Sequence, residues 1–167
     1  MNPIVSLIVL ILLGSVAYAA SKGAPWVPTW MKDMERLKKL LALQPGQKFI
    51  ELGCGNGRVC RYVAKDSRAQ IEGIELSIVQ WGVAVLQSLG KKNVKILFGN
   101  VFGKDLSSYD AVYLFLMPET YAKLQPKFER ELKSGTRVVS YVWPIPNWTP
   151  IKIDKEEGRP DLYLYIR

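Results

Sequence analysis

A doubly wound, mostly parallel α/β sheet is predicted for this chain on three observations. Short apolar runs at 48–52, 70–75, 94–98, 110–116 and 136–142 alternate with helical segments at 58–67, 78–89 and 119–132. Strands that alternate with helices build parallel sheets through right-handed crossovers. The first run also flows straight into Gly53-Cys54-Gly55-Asn56-Gly57, a glycine-rich turn that opens a helix. In a Rossmann-like sheet such a turn makes a ligand site at the carboxyl end of the first strand. Finally, 167 residues with 49% apolar side chains fit one unit of this kind.

In chain order, residues 1–21 come first and carry no charged side chain, with Pro3 to Ala20 almost continuously apolar. A helix of roughly 20 such residues covers ~30 Å, the thickness of bilayer hydrocarbon. A cleaved signal peptide is one reading, since Ala17-Tyr18-Ala19 resembles a small-x-small cleavage site; a buried helix of the domain is another. No Lys or Arg precedes the segment and its polar faces are sparse, so a retained transmembrane anchor is expected. Lys22, Lys32, Arg36, Lys38 and Lys39 follow it closely, which places the remaining chain in the cytoplasm, next to anionic headgroups.

Residues 22–29 form a connector stiffened by Pro25 and Pro28, with Trp26 suited to an interface. The third part, 30–167, should open with a helix from Trp30 to about Leu43, capped by Thr29 and stopped at Gln44-Pro45-Gly46. The end breaks the rhythm: Trp143 to Pro150 holds three prolines and cannot be helical. Residues 151–155 and 162–166 read as an edge hairpin, in an order the pattern leaves open.

Composition narrows the chemistry. The chain has no histidine, which removes imidazole bases and most catalytic zinc sites, and no metal site is expected. Cys54 and Cys60 are read as reduced packing residues. A net charge of +8 suits an anionic partner, whether nucleic acid, lipid headgroups or an acidic protein surface.

The glycine turn narrows it further. Glu51 stands two residues before Gly53. It would repel a pyrophosphate and attract a ligand bearing an ammonium and a sulfonium. S-adenosylmethionine is such a ligand. Glu75 closes the second strand 18 residues past Gly57, where a carboxylate can take two ribose hydroxyls; otherwise it is one more acid at a strand end.

The E-x-G-x-G-x-G pattern of Glu51, Gly53, Gly55 and Gly57 resembles the first motif of class I S-adenosylmethionine-dependent methyltransferases. That resemblance places Asn100 and Val101 at the adenine. It also adds Cys54, Leu76 and Leu116 to the cofactor-binding set. Glu119, after the fourth strand, then falls near the transferred methyl, where it can take a proton; otherwise it is a helix-start acid favoured by the macrodipole. Tyr141, Trp143 and Trp148 are candidate walls of an acceptor pocket, or else cover the sheet edge. A desolvated aromatic pocket would lower the pKa of an acceptor lysine from its usual ~10.4.

Four further pieces occur in order: the apolar segment, Gly23-Ala24-Pro25-Trp26-Val27-Pro28-Thr29, Phe115-Leu116-Met117-Pro118-Glu119, and Arg137 to Trp148. Together with the motif they resemble the membrane-anchored lysine methyltransferases of the mitochondrial ADP/ATP carrier and the ATP synthase c subunit, and their prokaryotic relatives. The resemblance implies protein-lysine N-methylation near a membrane, with a membrane protein as partner and no nucleic acid. An RNA methyltransferase, a small-molecule or lipid-linked methyltransferase, and a cofactor-binding membrane adaptor without catalysis are the alternatives.

Overall fold

The computed structural model describes residues 2–22 and 27–167; in the first helix the side chains at 8, 16 and 19–22 lie outside the description. Seven strands, β1 (Lys48–Leu52), β2 (Gln70–Glu75), β3 (Val94–Phe98), β4 (Ala111–Leu114), β5 (Arg137–Tyr141), β6 (Lys152–Asp154) and β7 (Leu162–Ile166), share one sheet in the order β3-β2-β1-β4-β5-β7-β6. β1 to β5 are parallel, and β7 runs antiparallel between β5 and β6. The strand order reverses between β1 and β4, which leaves a crevice at their carboxyl ends.

The side chains alternate across the sheet as the period of two requires. Phe49, Tyr113, Val139 and Tyr141 join Met34, Leu37, Leu41 and Val63 from α2 (Met34–Leu41) and α3 (Arg58–Val63) in one core layer. Ile50, Leu52, Val112 and Val138 join Tyr121, Leu124 and Phe128 of α5 (Pro118–Glu131) in the other. α4 (Ile78–Gln87) packs against β2 and β3.

The terminal hairpin forms where expected, and the structure supplies its order. β7, with Leu162, Leu164 and Tyr165 buried, takes the inner place beside β5. β6, with Lys152 and Ile153 exposed, takes the edge, where charge on the outer strand discourages pairing with another chain.

Two expectations need correction. The helix predicted from Trp30 begins with a 3₁₀ turn at Met31–Asp33, and α2 follows from Met34. Thr29 does not cap it, because its hydroxyl is held at 2.7 Å by the buried Tyr113 hydroxyl instead. Trp30 accordingly points outward, 44% exposed, under the Lys32 ammonium at 4.2 Å from its ring.

The second concerns the apolar N-terminus. A helix, α1 (Pro3–Lys22), forms there, but among the described residues no helix is long and apolar enough to cross a membrane. Instead α1 lies against α4, and the Ile78 N–H donates to Ser15 Oγ at 2.9 Å. Of the connector at 22–29, Gly23 to Trp26, and with them the interface role of Trp26, lie outside the described residues.

Candidate active site

The loop after β1 is built for close approach. Gly53 and Cys54 both donate their N–H to the Ile74 carbonyl, at 2.9 and 3.0 Å, and Gly57 donates to the Cys54 carbonyl at 2.8 Å. Gly53, Gly55 and Gly57 sit at φ +75°, +52° and +71°, where any side chain is strained. A Cβ on Gly53 would stand 2.7 Å from Leu116 Cδ2, so a ligand and Leu116 can both press on bare backbone. The loop, Glu51, Val27 to Thr29, Arg58 and Phe115 line one crevice.

Glu51 lines it, and a second carboxyl group, Glu75, braces its loop. Glu75 is buried, and its Oε2 accepts from Gly55 N–H at 2.8 Å while Oε1 accepts from Ser77 N–H at 2.7 Å. One side chain thus ties the glycine loop to the start of α4, whose N-cap is Ser77. Each carboxylate oxygen keeps a second lone pair with which to accept hydroxyls.

Glu51 is 5% exposed and accepts from Cys60, from Sγ at 3.0 Å and from N–H at 3.2 Å. Burial pushes its carboxyl up to about 8, against the pull of the two Cys60 donors, and the nearby Glu75 charge adds to the rise. A carboxyl held this way ionises readily once a cation enters beside it. Cys54 and Cys60 are both free and buried, as read from the sequence. Gly73 of β2 passes so close that a Cβ there would lie 2.8 Å from both sulfurs.

A strap covers the loop. Arg58 donates to the Thr29 carbonyl at 3.3 Å, and Thr29 is pinned to Tyr113. Four residues on, the fully buried Asp33 accepts from Tyr141 Oη at 2.6 Å and from Arg36 at 2.9 Å. Arg36 in turn reaches Asp154 Oδ1 at 2.6 Å and the Asp154 carbonyl at 2.7 Å. The segment over the crevice is therefore anchored to the ends of β4 and β5 and to the C-terminal hairpin.

Of the other candidates, Leu116 is buried against the loop, and Leu76 is half-buried beside Glu75. Asn100 is exposed; its side chain accepts from Phe102 N–H at 3.0 Å and caps a short 3₁₀ turn, Val101–Gly103, with Val101 half-buried. Glu119 is exposed on the first turn of α5.

The three aromatic candidates do not form one wall. Tyr141 is buried in the α2–α3 layer, and burial together with its bond to Asp33 pushes its hydroxyl pKa up. Trp148 packs on the opposite face, against Phe128 and Tyr165, at 6.0 and 5.9 Å between ring centres. Trp143 is 42% exposed, next to Val142, whose φ of +73° is costly for a β-branched residue.

The sequence alone did not single out Phe115, Thr29, Arg58 or Asp33 as site residues. Phe115 lines the crevice and meets Tyr141 edge-on at 4.9 Å. Its place at the end of an apolar strand was the available signal. Asp33 and Arg36, one helical turn apart, were another.

A sheet of this order, with a positive-φ glycine loop after β1 and a carboxylate closing β2, defines a class I S-adenosylmethionine-dependent methyltransferase. One solved relative is an RNA methyltransferase from Salinibacter ruber in complex with S-adenosyl-L-homocysteine. It superposes with a TM-score of 0.80 at 27% identity over 84% of this chain and 93% of that one. The sequence model of the ANTKMT methyltransferase domain matches residues 51–152, and the chain belongs to that family.

A protein-lysine N-methyltransferase of Saccharolobus islandicus is 34% identical over 150 residues, 85% of this chain and 92% of the relative. The human lysine N-methyltransferase of the ATP synthase c subunit is 28% identical over 79% of this chain, which spans 57% of that longer protein. The chain is thus a methyltransferase and its cofactor is S-adenosylmethionine. The bare-backbone cradle and paired carboxyl groups fit that molecule.

Proposed function

We propose that the chain is a protein-lysine N-methyltransferase that works at a membrane surface on a membrane-associated protein. The observation that carries this reading is the 34% identity, across nearly the whole of both chains, to a protein-lysine N-methyltransferase. The mouse adenine nucleotide translocase lysine N-methyltransferase, 29% identical over 84% of this chain, supports the same acceptor chemistry.

When bound, S-adenosylmethionine supplies a methyl group already activated for transfer. The residues of this chain bind and orient. Glu51 and the loop at Gly53, Cys54, Gly55 and Gly57 take the ammonium end. Glu75 takes the ribose hydroxyls, and Leu76, Asn100 and Val101 border the adenine. Leu116 presses on the loop from the side of the acceptor.

Methyl transfer to an amine asks mainly for alignment and for a neutral nucleophile. On this reading Phe115, held by Tyr141, and Trp143 give apolar surroundings that favour the uncharged amine, and Glu119 receives the proton. The apolar α1, with Leu7, Leu10 and Leu13 all about 60% exposed, attaches the enzyme to the bilayer. The basic residues that follow, Lys32, Lys38 and Lys39, suit the anionic cytoplasmic leaflet, and on this reading the folded part lies on that side.

The solved relative named as an RNA methyltransferase, together with the net charge of +8, favours RNA as the second reading. One experiment separates them. Protein, radiolabelled cofactor and a membrane lysate are incubated, then treated with nuclease or with protease. Label that resists nuclease and is lost to protease is the expected result; the reverse overturns the lysine assignment.

A further inference from the structure

α4 is an unusual helix for a soluble surface. Its sequence, Ile78 to Gln87, contains no charged residue. Val83, Leu86 and Leu89, the last just past its end, are 36%, 69% and 71% exposed even with α1 in place, and Phe98 at the end of edge strand β3 is 53% exposed. Spaced by three along the helix, these leucines and Val83 share one outward face. α1 packs against α4 and presents its own outward leucines, Leu10 and Leu13, 66% and 62% exposed. The two helices therefore make one apolar layer, larger than scattered surface hydrophobics account for.

The rim of that layer is basic. Lys91 and Lys92, in the turn after α4, are both exposed. An apolar face edged by lysines matches the interface of a bilayer with anionic headgroups, where aliphatic side chains enter the acyl boundary and ammonium groups stay at the phosphates.

We propose that the outer face of α4, with Phe98 and the Lys91-Lys92 rim, is a second lipid contact that lays the catalytic domain down on an anionic membrane beside α1. The proposal rests on the membrane reading given above and adds its orientation. Ser77, the N-cap of α4, donates its N–H to Glu75, so the amino end of a membrane-lying α4 comes beside the cofactor loop. The acceptor amines that come within reach are then those close to the membrane surface.

Single cysteines read this directly, because native Cys54 and Cys60 are 4% and 0% exposed and leave the label to the new site. The full chain is spin-labelled at Leu86→Cys, Leu89→Cys or, as control, Glu157→Cys in the exposed β6–β7 turn. Vesicles of phosphatidylcholine with phosphatidylglycerol are then added. Labels at 86 and 89 should gain access to oxygen and lose access to a polar nickel reagent, with no change at 157. Leu86→Glu with Leu89→Glu should lower partitioning into these vesicles by about tenfold or more. Reversing Lys91 and Lys92 to Glu should cost about thirtyfold or more on anionic vesicles and little on neutral ones. S-adenosylmethionine affinity should not move in either variant.

A chain that floats with vesicles while both labels stay aqueous overturns the α4 contact and leaves the membrane reading standing. A chain that does not float overturns both. Labels that become protected without lipid, in proportion to protein concentration, assign the face to a second copy of the chain and overturn the proposal.

Discussion

The Tyr141 hydroxyl, at the end of β5, donates to Asp33 Oδ2 at 2.6 Å across 108 residues of sequence. The carboxylate is fully buried and also takes Arg36, so this pair fixes the strap above the cofactor loop rather than the chemistry beneath it. Tyr141→Phe should lower stability by about 1.5–3 kcal/mol, the usual worth of a hydrogen bond to a buried charge. Denaturant unfolding measures it. Cofactor affinity should fall modestly, because Asp33, four residues past the crevice-lining Thr29, loses one of the strap's anchors. A fall in turnover with unchanged stability would instead make Tyr141 a residue of the reaction.

Gly53 tests the cradle. At φ +75° an alanine costs roughly 1–2 kcal/mol in backbone strain, and its Cβ would strike Leu116 Cδ2 at 2.7 Å. Gly53→Ala should abolish measurable S-adenosylmethionine binding by calorimetry. Adding Leu116→Ala should recover only part of it, since the strain remains when the clash is gone.

Glu75 orders two backbone donors, Gly55 N–H and Ser77 N–H. Glu75→Ala leaves both without their partner, each at a cost of about 1–3 kcal/mol. Cofactor affinity should drop by at least about tenfold. Glu75→Gln should also weaken binding, because its amide turns a donor toward one of those N–H groups. Equal affinity in both variants would remove Glu75 from the cofactor site.

Glu51 sets a pH dependence whose sign follows from its raised pKa. The folded chain holds this proton up to about pH 8, whereas an unfolded glutamate releases it near 4.5. The native state therefore binds more protons between those values, and this group's contribution to stability is full below about 4.5 and lost as pH rises through about 8. Glu51→Gln should flatten that slope in thermal melts of the ligand-free protein. Cofactor affinity should run the other way, rising by up to about tenfold per pH unit until Glu51 is ionised, since a cationic ligand selects the carboxylate. A pH-independent affinity would place the ammonium elsewhere.

Much of this was legible in the sequence because local patterns decide it. The five parallel strands and the glycine loop follow from period-two burial and from φ values only glycine adopts comfortably. β2 and β3 fall within the predicted limits, and the turns bear the expected conformations. Glu51 and Glu75 are legible because each stands near the carboxyl end of a strand beside the glycine loop. What stayed hidden depends on partners far away in the chain. Nothing near Thr29 announces that Tyr113, 84 residues later, will claim its hydroxyl. Nor does Tyr141 announce that it faces α2 while Trp148 faces α5, since that depends on which face each strand position meets after the sheet forms. The apolar N-terminus was read as a segment by itself, and its packing along α4 depends on an apolar face that helix keeps exposed.

The grip of Arg36 on Asp154 spans 118 residues and has a consequence for how the enzyme is made. Loop closure over such distances is slow compared with local helix formation. During synthesis α1 leaves the ribosome before α4 and the sheet, while the strap over the cofactor loop cannot be locked until the β6–β7 hairpin has emerged. The apolar α1 therefore waits for α4 to cover it, and the cofactor cleft is locked only after both outer strands have been made. A ligand that binds the completed cleft acts late, as a seal on a nearly finished fold.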